Sequence, residues 1–449
     1  MYASAPAAVS APVALLRAAF VAACAASGAC AGGTAQAGPD LGPPPVFAEP
    51  DPARVELGWR LFYDPILSGN RDVSCATCHH PRFGTSDGVS LGIGDGGIGL
   101  GPARVPDPAN PPLQRIPRNA TALWNLGAEE FSVFFHDGRL EVAPDRPGGI
   151  RTPLGAEMVS GFDDALAAQA MFPVLSPDEM AGHYGENAVS EAVGQGMLAH
   201  AGGAWDRIAA RVAAIPAYAA AFEAAAPGEE IDFPLIANVL ADFIRVEWRA
   251  DDSPFDRHLR GEAPLTGAAA RGMALFYGAA GCAECHSGRF QTDHRFHAIA
   301  MPQIGPGKAG RFESHHRDEG RMRVTNAPQD AYRFRTPSLR NVTLTAPYGH
   351  SGAYARLEEV VRHHLDPVAA LRRYDPAMAR LPALAGVDDL WVLDRPDEVA
   401  RIAAANELEP VSLSEDEVQD LLAFLAALED PAERLGVPET VPSGLPVER

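Results

Sequence analysis

Two copies of Cys-x-x-Cys-His, at Cys75–Ala76–Thr77–Cys78–His79 and Cys282–Ala283–Glu284–Cys285–His286, have the residue types and spacing for chemistry. Two thiols three positions apart can each add to a vinyl group of one haem, and the histidine that follows is carried under the iron as an axial ligand. A disulfide or a zinc pair is the competing use of such a motif. Zinc would need a second Cys or His pair for each motif, and no other Cys pair with that spacing is present among the six cysteines. The motifs predict two covalent c-type haems, attached at Cys75 and Cys78 and at Cys282 and Cys285, with His79 and His286 on the irons.

The elements that position these motifs read as helices separated by irregular backbone. At 449 residues the chain suits two domains behind a leader, and 43 Gly and 40 Pro imply many loops. Helical patterns fall at Val55–Tyr63, Asp163–Met171, Glu186–Ala199, Ala204–Ala214, Ala217–Ala226, Phe233–Arg249, Thr266–Tyr277, Leu357–Leu365 and Glu415–Leu428. The last opens with a capping box, Ser414 to Glu417. Residues 84–117 form a Gly/Pro-rich loop with no sustained period. A helix leads into each haem motif, which is an internal repeat. Strand patterns are scarce, so the expected class is mainly α.

The expected division is a signal peptide over 1–37, a linker over 38–50, a first haem domain over 51–250 and a second over 251–449. Arg17, the apolar run Ala18–Ala26 and the small residues Ala35–Gln36–Ala37 make the export signal. The preferred cleavage after Ala37 removes the two spare cysteines, Cys24 and Cys30. The alternative, a lipoprotein signal at Val21–Ala22–Ala23–Cys24, would tether the mature chain through Cys24. Either way the chain is expected in the periplasm, where haem attachment to this motif occurs. A net charge of −21 argues against nucleic acid or an anionic membrane as partner and favours a basic one.

Further strings are more specific. Arg118–Asn119–Ala120, then Asp137–Gly138–Arg139, then Gln169, Pro173, Glu179 and Met180 occur in the first half. Phe334–Arg335–Thr336–Pro337–Ser338–Leu339–Arg340–Asn341–Val342, then Thr345–Ala346–Pro347–Tyr348–Gly349–His350–Ser351–Gly352, occur in the second. From about Leu57 to Leu428 the chain resembles the bacterial di-haem cytochrome c peroxidases, including their methylamine-utilisation relatives. The resemblance implies two cytochrome-c-like domains, a peroxide-reactive first haem and an electron-transferring second haem. It also implies a small electron-donor protein, a cytochrome c or a cupredoxin, and a homodimer.

In many members of that family a loop histidine sixteen residues after the proximal one closes the first iron. Here that position is Asp95, and no histidine lies between His80 and His136. The first haem is therefore expected to be five-coordinate, with His80 a surface residue. By resemblance Glu179 is the acid–base group for peroxide and Gln169 the polar group that holds the bound oxygens. Local sequence alone reads Glu179 as part of a capping box, Ser176–Pro177–Asp178–Glu179. Glu157–Met158 repeats the dipeptide but has no Gln ten residues before it.

For the second haem, the resemblance places the sixth ligand fourteen residues after His350, at His364, where peroxidases have Met and the methylamine-utilisation relatives Tyr. The apolar face Leu357, Val360, Val361 and Leu365 includes the His364 position and leaves His363 off it. His136 stands where members usually have Trp before Asp–Gly–Arg, and three readings stay open: tunnelling, a route through Trp124, or an acid–base role. The resemblance also implies one calcium ion, held by the Asn119 side chain and the carbonyls of Thr345 and Pro347. The pairs His294/His297 and His315/His316 read as solvated loop histidines.

Overall fold

Six helices position the chemistry: α1 (Pro52–Phe62), α2 (Ala165–Ala170), α3 (Phe233–Glu247), α4 (Gly267–Phe276), α5 (Leu357–Leu365) and α6 (Glu415–Ala426). The computed structural model describes residues 39, 41–308 and 313–449. The expected signal segment, with Cys24 and Cys30, lies outside them. α1 starts where the Asp51 carboxylate accepts from the Ala53 amide and Pro52 supplies the first helical φ. α6 starts at the expected Ser414–Glu417 capping box.

The internal repeat goes beyond its expected form. Gly58–Trp59–Arg60–Leu61–Phe62–Tyr63 at the end of α1 is matched by Gly272–Met273–Ala274–Leu275–Phe276–Tyr277 at the end of α4. A Cβ on Gly58 would lie 1.9 Å from the Val239 carbonyl oxygen of α3, and one on Gly272 would lie 1.8 Å from the Asp420 carbonyl oxygen of α6. Only glycine lets each leading helix come this close to the last helix of its half. Beside each crossing the aromatics meet again: Phe62 on Phe243 and Phe276 on Phe424, both at 5.1 Å between ring centroids. An ion pair accompanies each, Arg54–Asp242 at 2.6 Å and Arg271–Asp420 at 2.6 Å. All four phenylalanines are buried, and each contributes about 1.5–3 kcal/mol by leaving water.

One large apolar cluster is drawn from residues 57–250 with Phe290 and Val441, and a second from 255–428. The last fifteen residues depart from the expected division, because Val437, Val441, Leu445 and Val447 pack on the first cluster. Polar contacts fasten this tail. Trp59 Nε1 donates to the Gly436 carbonyl at 2.8 Å, and Ser443 Oγ donates to Asp64 Oδ1 at 2.6 Å. Thr77, inside the first haem motif, donates its hydroxyl to Glu448 at 2.6 Å.

Sheets are small, as the sequence implied. Among the described residues they are antiparallel pairings of 97–98 with 105–106, of 133–134, 140–142 and 150–151, and of 296–297 with 334–335. No single described helix is long and apolar enough to cross a membrane.

Candidate active site

Both motifs fold as one tight turn. Cys75–Cys78 is a short α-helix with Ser74 and Thr77 capping its start, and Cys282–Glu284 is a 3-10 turn. All four cysteines are unpaired. His79 Nδ1 donates to the Thr85 carbonyl and His286 Nδ1 to the Gln291 carbonyl, each at 2.9 Å. The two acceptors share a second feature: Thr85 and Gln291 have φ of 69° and 48°. Such a backbone conformation is uncommon for residues other than glycine, and here it aims a carbonyl back at the imidazole. With Nδ1 committed, each ring presents an unprotonated Nε2, the tautomer a metal needs. Burial holds both imidazoles neutral, His286 with its pKa lowered to about 4. Free thiols beside an oriented imidazole, in each of two tight turns, fit two covalently held haems.

Opposite His286 stands His364 of α5. Its Nδ1 donates to the Val360 carbonyl one turn back at 2.7 Å, which leaves Nε2 as a lone-pair donor. The rings of His286 and His364 have centroids 6.4 Å apart with planes at 58°. A metal with nitrogen bonds of about 2 Å on each side would hold two imidazole centres roughly 6–6.5 Å apart. His363 is different from its expected place off the apolar face. It is buried, accepts from Tyr354 Oη at 2.9 Å and donates to the Ile299 carbonyl at 2.7 Å. Both its nitrogens are used inside the protein, and α5 buries two successive histidines in two directions.

The first motif has no such counterpart at the sixteen-residue position. Asp95 is buried with Oδ1 accepting from Asn70 Nδ2 at 2.9 Å, and its backbone amide donates to the Glu179 carbonyl at 3.0 Å. Gly94 lies so close that a Cβ would stand 2.5 Å from that same Glu179 oxygen. Arg104 fixes the loop by donating to the carbonyls of Ile93, Gly94 and Gly99 at 2.6–2.7 Å. His80, expected at the surface, is buried, because its backbone bridges to Ser86 and its Nδ1 accepts from the Arg82 amide.

Glu179 sits in a single π turn, Pro177–Ala181, with Pro177 at its first position. The expected capping box is not formed: Ser176 makes no side-chain cap to the turn. The Glu179 amide donates to the Ser176 carbonyl at 3.2 Å, and the Glu179 carboxylate has its pKa raised by burial against the opposing pull of Lys308 and Arg139. The 92–95 loop brings Glu179 to the neighbourhood of the first motif, since Gly92 and Ile93 line one cavity with Thr77 and Cys78 and the Asp95 amide donates to the Glu179 carbonyl. Gln169 lies on α2, whose start is capped by the Asp164 carboxylate. Short π segments recur at functional sites, a signal that the sequence alone did not give.

The quoted strings converge at the junction of the halves. Arg118 makes a bidentate pair with Asp318, 200 positions away, at 2.6 and 2.7 Å, and a third bond to Asp137 at 2.6 Å. Phe334 stacks on His350 with ring centroids 3.7 Å apart. The Asn119 amide donates to the His350 carbonyl at 2.9 Å, and its side-chain nitrogen donates to the Val89 and Ser90 carbonyls. That commitment leaves the side-chain oxygen of Asn119 as the pole open to a cation, beside the segment holding Thr345 and Pro347.

His136 lies in the same junction. Its Nε2 donates to the Asn119 carbonyl at 3.1 Å and stands 3.3 Å from Thr121 Oγ1. Two residues after Thr121, the Leu123 amide donates at 2.8 Å to the hydroxyl of Thr85, the residue whose carbonyl accepts from His79. On the other side the His136 carbonyl accepts from the Arg335 amide at 2.8 Å, and Thr292 Oγ1 donates to the Thr336 carbonyl at 2.7 Å. Thr292 follows Gln291, the acceptor of His286. An unbroken run of covalent and hydrogen bonds thus joins His79 to His286 through His136. Trp124 is elsewhere, buried at 5.5 Å from Trp248 with its Nε1 donating to the Gly84 carbonyl. Of the loop histidines, His294 faces Glu130 and His297 faces Asp293, while His316 stacks on Trp391. Arg104, Asp318 and Glu448 carry no motif and were not among the candidate residues.

A family model described as di-haem cytochrome c peroxidase matches residues 52–264. The methylamine utilization protein MauG of Methylorubrum extorquens is 31% identical over 392 residues, covering 86% of this chain and 81% of that protein. The cytochrome c551 peroxidase of Pseudomonas aeruginosa is 30% identical, over 68% of this chain and 70% of its own length. Among solved structures, a MauG-like protein associated with microbial copper homeostasis aligns with a TM-score of 0.59 at 27% identity, over 88% of this chain and 95% of that one.

Proposed function

The chain belongs to the di-haem cytochrome c peroxidase family, and on that footing we propose that it is an oxidoreductase that reduces hydrogen peroxide to water. Electrons come from a small redox protein, a cytochrome c or a cupredoxin, in the periplasm. Cys75 and Cys78 would hold the first haem, with His79 binding its iron. Cys282 and Cys285 would hold the second, with His286 and His364 binding its iron. Bound there, the haems would supply the redox chemistry that peroxide reduction needs.

The protein supplies the proton movements. The Glu179 carboxylate takes the proton from the nearer peroxide oxygen and returns it to the departing one. Its buried position favours the protonated form it must reach midway, and the ionised form it must start from is supported by neighbouring cations. Gln169 offers an amide to the bound oxygens. The His136 run would carry electrons between the two haem sites by tunnelling, since imidazole is far harder to oxidise than indole. Asn119 with the Thr345 and Pro347 carbonyls would hold one calcium ion at the junction. The division into a haem domain before residue 251 and another after it is part of this reading, with the tail 435–449 clasping the first.

The observation that carries the reading is the contrast between the two motif histidines, one faced by His364 and one without a histidine at the family's closing position. Mixing the reduced holoprotein with peroxide, with and without a reduced cytochrome c or cupredoxin, tests it. Rapid oxidation of the carrier is expected, and the absence of any spectral response to peroxide would overturn it. His364 in place of Met favours a second reading, an oxidase that modifies a protein or organic substrate. That reading predicts a persistent oxidised species with little carrier turnover.

A further inference from the structure

Asp95, His183 and Glu186 each bring a ligand atom to within 4.8 Å of the other two, and none of them has a part in the chemistry assigned above. Asp95 is 0% exposed, and its Oδ2 makes no hydrogen bond among the described residues. A buried carboxylate oxygen is costly without a cation or a hydrogen-bond donor. Among the described residues no arginine or lysine pairs with Asp95, Glu186 or the nearby Asp178. His183 is the basic group in contact with the latter two.

Asn70 sets the two carboxylates. Its Nδ2 donates to Asp95 Oδ1 at 2.9 Å and to Glu186 Oε2 at 2.7 Å, while its Oδ1 accepts from Asn187 Nδ2 at 2.9 Å. The His183 backbone amide donates to the same Glu186 Oε2 at 2.9 Å. Asp95 Oδ2 and Glu186 Oε1 are thereby the oxygens left for a cation. Glu186 Oε1 lies 3.4 Å from His183 Nδ1, a separation that two ligands adopt on one metal with bonds of about 2.0–2.2 Å. At the other side of the ring Nε2 stands 3.5 Å from Asp178 Oδ1, and Gln114 Nε2 donates to Asp178 Oδ2 at 2.6 Å. One ring nitrogen can therefore bind a metal while the other donates to a carboxylate, which fixes the orientation of a ligating imidazole.

We propose that Asp95, His183 and Glu186 bind one divalent transition-metal ion of the zinc class. One imidazole with two carboxylates, and no thiolate or thioether, suits such an ion over Cu(I), while the nitrogen ligand disfavours calcium and magnesium. The nitrogen also sets this site apart from the all-oxygen set at Asn119. Glu186 is exposed, which gives the ion a path from solvent. The metal ties the loop that carries Asp95, whose amide donates to the Glu179 carbonyl at 3.0 Å, to the segment directly after the π turn. It thus holds the backbone on both sides of Glu179.

The test uses the holoprotein, dialysed against a chelator to remove loosely held metal, with Zn²⁺ as the probe. Calorimetric titration should show one Zn²⁺ bound per chain at this site, with affinity weakened about tenfold or more in H183Q and in E186Q. Both side chains reach the surface, so the variants should keep their fold and haem content, which absorption spectra check. X-ray absorption at the zinc edge of the wild-type protein needs no variant. It should show one imidazole among oxygen neighbours. Wild-type affinity in both variants would overturn the proposal, as would a zinc edge with sulfur neighbours. Calcium that competes with Zn²⁺ on equal terms would overturn the assignment of His183 as a ligand.

Discussion

The imidazole of His364 faces that of His286 across 6.4 Å, with each Nδ1 tied to a backbone carbonyl. Among the described residues no partner engages the Nε2 of His364, whereas the adjacent His363 has both nitrogens engaged. Two histidines carried by the same motif are thereby made unequal by one residue on α5.

Replacing His364 by Met should raise the potential of the second haem while leaving the first unchanged. The expected shift is on the order of 0.1 V, a modest part of the roughly 0.8 V that axial ligands span. Spectroelectrochemical titration of H364M against wild type checks it. H363M should disturb stability through its lost Tyr354 and Ile299 bonds, without this shift.

E179Q keeps the shape of the carboxylate and removes its basicity. The peroxide step should slow by about 10²–10⁴-fold, with the resting absorption spectrum unchanged. Because burial raises the Glu179 pKa above its ordinary 4.5, and the working form is the ionised one, wild-type activity should fall as pH drops through a value above 4.5. Stopped-flow rates from pH 4 upward, with about half-unit steps, read this limb.

Arg118 ties the halves together through a buried ion triad. R118M should cost about 3–5 kcal/mol, because it strands the Asp318 and Asp137 carboxylates in the interior. Burial alone would raise the Asp318 pKa, but Arg118 overrides it and holds the group down to about 2, with Asp137 also below the usual range. Their stabilising contribution is complete above the unfolded carboxylate pKa of about 3.9 and is lost as pH falls toward about 2. Thermal unfolding between those pH values should show a steeper loss in wild type than in R118M.

Gly58 and Gly272 should be equally intolerant of a methyl group. G58A and G272A each place a Cβ within 2 Å of a backbone oxygen of the partner helix. Separating the helices should cost about 1–3 kcal/mol or more in each case, measured by denaturant unfolding of the two variants.

Much of this was legible in residues with fixed spacing. The haem motifs, the helix before each, the capped α6 and the Asp95 position could all be read because each rests on contacts within one turn or on a count along the chain. The Gly-x-x-Leu-Phe-Tyr repeat was present in the sequence as well, but its meaning depends on Val239 and Asp420, which lie 181 and 148 positions downstream. Groups joined only by folding left no local trace: Arg118 with Asp318, and Thr77 with Glu448. His80 and His363 were misplaced for the same reason, since periodicity sees a face and not the loop carbonyl or tyrosine hydroxyl waiting on it. Ser176 was read as a cap from a pattern whose physical basis is an α-helix, and the chain makes a π turn there instead.

The most direct test of the inequality between the two sites is electron paramagnetic resonance of the oxidised holoprotein, with H364A as comparison. One high-spin haem and one low-spin bis-imidazole haem in equal amounts are expected, with the low-spin signal alone changed in H364A. Two low-spin haems, or a low-spin signal that survives H364A unaltered, would contradict it.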